Sequence, residues 1–496
     1  MKNETYGHDG KQAFHILVCL IQIWGDPSVM KPSDPDFMQP GDNRLEIAEV
    51  ESIEVVDNYK QLIGKASVKF PRGTVIRKTS TTTREVTEDA RKVTATLDDH
   101  GVLLTARKSY SDVANVTDFK VGQRIRIYVG YTTDPKVAAS TRYNPRNGSI
   151  FTNETLHDSY MKVFEPFGPI FDGYITRCSI DTPIELECEN LASVLKKFNA
   201  PDVKNNPQLT VNDLMAPDGR YYMLGGTGME LYPATKACRI AIGAATLNRD
   251  LTVADVLTTW TKNKLYSYVW VDYSVVPAKP YIVVGRSYFT NKGKDSILQQ
   301  RQDQGSGTTS VIDFNYNVAE NGLTLTESNK EFLCIQGQSL EKNNKFYHMT
   351  IRINPEWKEG QPDKDKWQIL NEVRLSKKMM KMGATVMSKG NNRVDLSRYT
   401  IVPYVSRKVG CTHDELLQEL IAYYEDYNMN GISGTLTLFG DLQLKSGCKV
   451  RLVDPYYPAK NGVYFVDEVT TRFGTDGFRQ TIKLPYCITR DSDKDK

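Results

Sequence analysis

Histidine is scarce among the residues that do acid–base or metal chemistry: the chain has only His8, His15, His100, His157, His348 and His413. None forms His-Glu-x-x-His or a ligand set spaced with carboxylates. His413 reads as a solvated neighbour of a helix cap. The eight cysteines are Cys19, Cys178, Cys188, Cys238, Cys334, Cys411, Cys448 and Cys487, and no two have Cys-x-x-Cys spacing. Zinc and dithiol-redox readings therefore lack support. Several sit in apolar strand-like runs, where a reduced thiol acts as a small hydrophobe, as expected of a protein made in the cytosol. Gly225-Gly226-Thr227-Gly228 invites a phosphate-loop reading, but no Gly-Lys-Ser/Thr follows it. Gly305-Ser306-Gly307 lacks the nucleophile-elbow pattern and reads as linker. Glu185 and Glu187 share one face of a strand, which a solvated or interface face explains without glycosidase chemistry. Tyr221-Tyr222 and Tyr456-Tyr457 could stack sugars, yet aromatic turns in barrels use the same residues. No catalytic, cofactor or metal site is expected, and the chain reads as a non-enzyme.

The elements that would position such residues are mostly strands. The 496 residues suggest about three domains. Basic and acidic side chains number 63 and 60, a balance that gives no global reason for a nucleic-acid or membrane partner. The N-terminus lacks a signal-peptide profile, and the apolar run Phe14–Trp24 is too short to cross a bilayer. Neither export nor stable membrane insertion is expected.

Alternation marks strands at 14–24, within 46–70, at Arg124–Val129, at Ile170–Ile175 and at Ile184–Cys188. Residues 73–119 and 133–165 read as polar insertions. Leu191, Val194, Leu195 and Phe198 suggest a short helix. A capping box at Thr252–Asp255 opens a helix with Val253, Val256, Leu257 and Trp260 on one stripe. The polar stretch 295–310 reads as a boundary. Strands resume at 312–316, 332–335 and 348–353, and a Met-bearing segment from about 367 to 387 reads as helical. A second capping box, Thr412–Glu415, opens a helix bearing Leu416, Leu417, Leu420, Ile421 and Tyr424. Four strands follow, at 434–439, 449–453, 464–471 and 478–484.

The first and last blocks share a pattern. Gly122-Gln-Arg124-Ile125-Arg126-Ile127 matches Gly447-Cys-Lys449-Val450-Arg451-Leu452 in character at each position. Downstream, Phe171–Thr176 matches Phe465–Thr470, and each phenylalanine is followed thirteen residues later by an apolar residue, Ile184 or Phe478. Glycine turn, basic strand and aromatic strand recur in the same order, which favours duplication. The fold class that follows is mainly β with a mixed α+β middle: two related β-barrels flanking an α/β segment. The first block is 1–200 with its two insertions, the middle 201–305, and the second block 306–496 with a helical insertion.

Three stretches carry a family resemblance: Gly431-Ile-Ser-Gly434-Thr-Leu-Thr-Leu-Phe-Gly440-Asp441, Ser446-Gly447-Cys-Lys-Val-Arg-Leu, and Asn461-Gly462-Val-Tyr464-Phe-Val466-Asp-Glu-Val469. This pattern resembles the C-terminal part of tail hub proteins: contractile-phage baseplate hubs, phage late control D proteins and the hub portion of type VI secretion spike proteins. It is strongest over 410–487, weaker over 46–200 and poor between them. The helix expected at Asp414–Tyr427 also lies where the family places one. The resemblance implies two tube-like barrels and a homotrimer that presents six similar units, joining a six-fold tail tube to a three-fold central spike. With little chain after the second barrel, the spike is expected to be a separate polypeptide. Baseplate wedge proteins would be neighbours, and a tape-measure protein or DNA would pass through the lumen. The location implied is a virion or injection-system baseplate, assembled in the bacterial cytoplasm. The glycines carrying the motifs are Gly122, Gly434, Gly447 and Gly462.

Alternation further predicts that Ile125 and Ile127 face a core while Arg124 and Arg126 lie on the outer face. Lys449 and Arg451 would occupy the same face of the second barrel. All four are candidates for lumen or interface residues, or for simple solvation. Two other functions compete with the hub: a tail-associated carbohydrate-binding adhesin, and a tail-associated peptidoglycan hydrolase.

Overall fold

The computed structural model describes residues 15–28, 31–40, 44–82, 106–139, 159–181, 183–261, 265–286, 296–301, 304, 309–326, 333–341, 345–357, 365–376, 399–406, 410–427, 431–485 and 487–490. The architecture is mainly β with a mixed middle section, as expected. Its largest element is a sheet of thirteen strands, antiparallel throughout. Across the sheet the strands are Val318–Thr326, Gly431–Phe439, Gly477–Leu484, Glu468–Gly474, Ser52–Asn58, Lys65–Phe70, Ile184–Asn190, Phe171–Cys178, Arg124–Thr132, Ile16–Trp24, Arg44–Ile47, Val75–Thr82 and Ala106–Val113. Strands of the last block and the first block thus share one sheet, joined where Ser52–Asn58 pairs with Glu468–Gly474.

Period-2 patterning explains most of these strands. Ala66, Val68 and Phe70 point into one core together with Ile184, Leu186 and Cys188 of the neighbouring strand. Ile16–Trp24 is apolar on both faces and is buried on both. Cys19, Ile21 and Ile23 join that same core, while Val18 and Leu20 pack with Tyr128, Tyr160 and Phe164. Ile125 and Ile127 are fully buried, each contributing roughly 1.5–3 kcal/mol.

A four-stranded sheet of Ser310–Asp313, Lys449–Val453, Gly462–Phe465 and Cys487–Arg490 completes the last block. A second one, Trp367–Ser376, Lys345–Ile353, Leu333–Leu340 and Thr400–Val405, is covered by the helix His413–Tyr427. That helix begins at the expected capping box: Glu415 N–H donates to Thr412 Oγ1 at 3.3 Å, and Thr412 N–H to Glu415 Oε2 at 2.9 Å. Thr252 and Asp255 make the same reciprocal pair ahead of Val253–Trp260.

Several expectations are corrected. Residues 75–82 and 106–113, inside the first expected insertion, form a hairpin that extends the large sheet; 83–105 lie outside the described residues. Within the second, Tyr160 and Phe164 are core residues, and 140–158 lie outside the described residues. The segment from 367, read as helix, is a strand to Ser376 because it pairs with Lys345–Ile353; 377–398 are not described. The helix after Asn190 is a 3-10 stretch, Leu191–Lys197. The stretch read as a boundary holds a short helix, Ile297–Arg301, whose Ile297 and Leu298 are buried against Tyr59, Tyr268 and Val283.

The repeat has a physical basis in matching turns. In the first copy Gln123 N–H donates to Lys120 O at 3.2 Å; in the second, Cys448 N–H donates to Lys445 O at 3.3 Å. The third residue of each turn is a glycine at positive φ, Gly122 at 93° and Gly447 at 78°. Such a turn excludes most side chains there. The downstream match is corrected by three residues. Arg124 lies opposite Tyr174, and Lys449 opposite Phe465. Tyr174 is therefore the counterpart of Phe465, and Phe171 that of Gly462. The matched phenylalanines belong to the same kind of strand at different depths.

Candidate assembly site: the basic strands and the joint between blocks

The first basic strand buries its charges. Arg124, on the face opposite Ile125, is 0% exposed, and Arg126 is 6% exposed. Both reach Asp172, directly across the ladder from Arg126. Arg124 donates from Nε to Asp172 Oδ1 at 2.9 Å and from Nη2 to Oδ2 at 3.1 Å, a bidentate pair. Its Nη1 donates to Phe37 O at 3.0 Å. Arg126 Nε donates to Asp172 Oδ2 at 3.0 Å; its Nη2 lies 2.9 Å from that oxygen, off the hydrogen-bonding angle. The Arg126 guanidinium sits between the rings of Trp24 and Tyr273, 5.2 and 5.0 Å from their centroids. Tyr273 comes from the middle section, and its hydroxyl donates to Asp172 at 3.0 Å, although the residue as a whole is 41% exposed. Burial alone would raise the Asp172 carboxyl, but the two guanidiniums outweigh it and hold it below the ordinary range.

The row continues beyond this cluster. Register places Asp172, Arg126, Gln22, Glu46 and Arg77 side by side on five successive strands. Glu46 is buried and accepts from Gln22 Nε2 at 3.2 Å, Arg44 Nε at 2.7 Å and Arg77 Nη1 at 2.9 Å. The face read as outer is therefore a buried polar row, because neighbouring strands and the short helix Pro35–Met38 enclose it. Sequence reasoning assigned no role to Asp172, Glu46 or Tyr273. The available signal was an aspartate facing a pair of arginines at i and i+2.

The second basic strand differs. Lys449 and Arg451 are half-buried. Arg451 lies opposite Val463, which stands where Asp172 stands in the first copy. Lys449 Nζ lies 5.6 Å from the Phe465 ring centroid. The strand on its far side, Ser310–Asp313, is parallel and sets exposed Val311 beside Arg451. The structure thus does not bring the four basic candidates into one site. Among the motif glycines, Gly434 has φ 139°, and a Cβ there would fall 2.4 Å from Gly322 O, so its lack of a side chain lets the edge strand approach. Gly462 opens the strand paired with the second basic strand.

The joint between blocks combines a ladder with charge. Arg472 Nε donates to Glu54 Oε2 at 2.8 Å, and Asn58 Nδ2 to Glu468 Oε2 at 2.8 Å. Tyr59 Oη and Lys60 Nζ both donate to Asp467. Arg301 of the middle section donates to Ser446 O at 3.0 Å, and Ser446 N–H donates to Asp57 Oδ2 at 2.8 Å. A cavity of about 660 Å³ lies where the three sections meet, lined by Asp57, Tyr268, Arg301, Lys445, Thr471 and Gln480 among others. Among the described residues no group of three or more His, Cys, Asp or Glu could hold a metal ion. No helix of theirs is long and apolar enough to cross a membrane.

No family model matches this chain, and no curated protein does. Solved structures do resemble it. A tail protein from Neisseria meningitidis MC58 is 10% identical with a TM-score of 0.43, over 95% of this chain and 96% of its own. The 43 kDa tail protein of prophage MuSo2 from Shewanella oneidensis is 9% identical with a TM-score of 0.43, over 95% and 96%. A chain of the Francisella PdpA-VgrG complex is 10% identical with a TM-score of 0.41, over 95% of this chain and 58% of its own. At these identities and scores the likeness assigns no function.

Proposed function

We propose that this chain is a structural, ring-forming subunit of a phage-tail or injection-machine baseplate. Three copies would close into a ring of six related β-blocks, joining a six-fold tube to a three-fold spike carried on a separate chain. The observation that carries this reading is the joint between the blocks, where strand Ser52–Asn58 of one copy of the duplicated motif is already paired with Glu468–Gly474 of the other. A chain that sets two like units edge to edge has the geometry a ring needs. Tube, spike and wedge proteins are the partners this reading requires. Lys449 and Arg451, half-exposed, are its candidates for the lumen or an interface with DNA or a tape-measure protein; Arg124 and Arg126 are enclosed and act inside the fold.

Light scattering coupled to size exclusion, with negative-stain imaging of the same fraction, tests the proposal. The expected result is three times the 56.1 kDa chain mass and a ring with six lobes. A monomer at tens of micromolar, or an elongated fibre, would overturn it.

A further inference from the structure

The two copies finish their edges differently. In the second, the strand paired with Lys449–Val453 ends at Phe465; after a bulge at Asp467 the chain continues as Glu468–Gly474, whose outer side is taken by Ser52–Asn58. The equivalent place in the first copy is fixed by four hydrogen bonds. Gly122 N–H donates to Ile175 O at 2.7 Å and Ile175 N–H to Gln123 O at 2.9 Å; Gly447 N–H donates to Val466 O at 2.7 Å and Val466 N–H to Cys448 O at 3.0 Å. Ile175 therefore corresponds to Val466, and the bulged residue Thr176 to Asp467. Arg177, opposite Glu187, then corresponds to Glu468, opposite Lys483. Beyond Ile175 no strand pairs with the outer side of 176–178 among the described residues, and Thr176 and Arg177 are exposed.

Among the described residues the complementary edge carries no further strand either. Carrying the same correspondence through Lys65–Phe70 and Gly431–Phe439 equates Ser52–Asn58 with 320–326. That segment belongs to Val318–Thr326, the terminal strand of the thirteen, with Glu320, Asn321, Gly322 and Thr324 exposed. An open edge of this length is a template for another strand.

We propose that Val318–Thr326 of one chain adds antiparallel to the 177–180 edge of a second copy, repeating between chains the joint made within each chain by Ser52–Asn58 and Glu468–Gly474. The inference rests on the ring reading and names its contact. The register follows from the correspondence: Thr326 opposite Arg177, Thr324 opposite Ser179, and Leu323 opposite Ile180, as Asn58 faces Glu468, Val56 faces Thr470 and Val55 faces Thr471 within the chain. Ile180, 86% exposed in the isolated chain, would be covered by Leu323. The joint between chains is the shorter one. Strand Phe171–Cys178 stops earlier than its counterpart in the second copy, which runs to Gly474, so long and short joints alternate round the ring.

The test is a disulfide pair, Thr324→Cys with Ser179→Cys, in a full chain also carrying Cys178→Ser. Opposed residues of an antiparallel pair lie about 4.5–5.5 Å apart at Cα, within disulfide reach. Glu320→Cys with Ser179→Cys is the control. Mild oxidation should convert most of the test variant, and little of the control, into covalent dimers and trimers. Ile180→Asp, in an exposed turn, should weaken trimer association at least tenfold without changing the circular dichroism of the chain. A trimeric mass with no cross-linking above the control would overturn the edge assignment and leave the ring reading standing. A monomeric mass in every variant and in the parent would overturn both.

Discussion

In the first copy of the repeat the basic strand lies between Ile16–Trp24 and Phe171–Cys178, both antiparallel, and its charged face is closed over by Trp24, Phe37 and Tyr273. In the second copy the same turn and the same alternation lead into a strand of five residues, flanked on one side by a short parallel strand. Backbone hydrogen bonds at the two glycine turns agree to within a tenth of an ångström at Gly122 and Gly447, while the side-chain environments oppose each other. An arginine closed off from water must be paired, and Asp172 pairs two of them; across the ladder from half-buried Arg451, Val463 occupies the place that Asp172 holds in the first copy. The turn is common to both copies, and burial decided which charges had to be matched. One copy became an interior lock between the first block and the middle section, and the other kept its charges near solvent.

The widest separation between copies should come from that carboxylate. Asp172→Asn leaves two buried guanidiniums without a countercharge and should cost about 3–5 kcal/mol in urea unfolding. Val463→Asn, which sets the same amide opposite half-exposed Arg451 without removing a charge, should cost far less. Equal losses at the two sites would break the contrast. Acid sharpens it. The folded Asp172 carboxyl is held below its ordinary value, so its contribution is fully present above the unfolded value near about 4 and is lost as pH falls through the lower folded value. The stability gap between the parent protein and Asp172→Asn should therefore narrow below about pH 4. A gap unchanged down to pH 2.5 would show that the charge on Asp172 contributes nothing.

The glycines come next in size. Gly434→Ala drives a Cβ into the Gly322 carbonyl and should cost about 1–3 kcal/mol, detaching the edge strand Val318–Thr326 first. Its counterpart in the first copy is already an alanine, Ala66, and Ala66→Gly should cost only about 0.5–1 kcal/mol. Gly122→Ala and Gly447→Ala, at φ 93° and 78°, should cost similar amounts, roughly 1–2 kcal/mol each. Hydrogen exchange at Leu323 and thermal melts of each variant would check these values. A large difference between Gly122→Ala and Gly447→Ala would mean that the turns are not equivalent.

Much of the scaffold was legible because it rests on local rules. Alternation in Lys65–Phe70 and Ile184–Asn190 names the buried face directly, and Thr412 with Glu415 names a helix start. What alternation could not tell is whether the other face meets water. Arg124-Ile125-Arg126-Ile127 reads the same whether its arginines are solvated or locked, and the deciding aspartate lies 46 residues beyond Arg126. Aromatic matching put Phe171 beside Phe465, although hydrogen bonding pairs residues by position in the ladder and moves the correspondence by three. The strand at Trp367–Ser376 was hidden for a similar reason: its pairing with Lys345–Ile353 overrides a local pattern that also suits a helix. The joint between blocks left no local mark, since its partners lie more than 400 residues apart.

The smallest effect expected is at that joint, and it separates ladder from charge. Arg472 and Glu54 form a pair at 2.8 Å across the seam, but their side chains are 62% and 49% exposed. Water and salt screen such a pair, and holding two long side chains in one geometry costs entropy, so its net worth is about 0–1 kcal/mol. The ladder beneath it joins Ser52 through Asn58 to Gly474 through Glu468, and Val55 and Phe473 along it are buried. Arg472→Ala should therefore lower stability by less than about 1 kcal/mol, and the loss should vanish in 0.5 M salt. Phe473→Ala should cost about 3–5 kcal/mol at any salt, because it opens a void among Ile53, Phe70 and Phe478. If Arg472→Ala proved as costly as Phe473→Ala, the blocks would be held together by charge rather than by a shared sheet and core, and the seam would no longer serve as the pattern for a joint between chains.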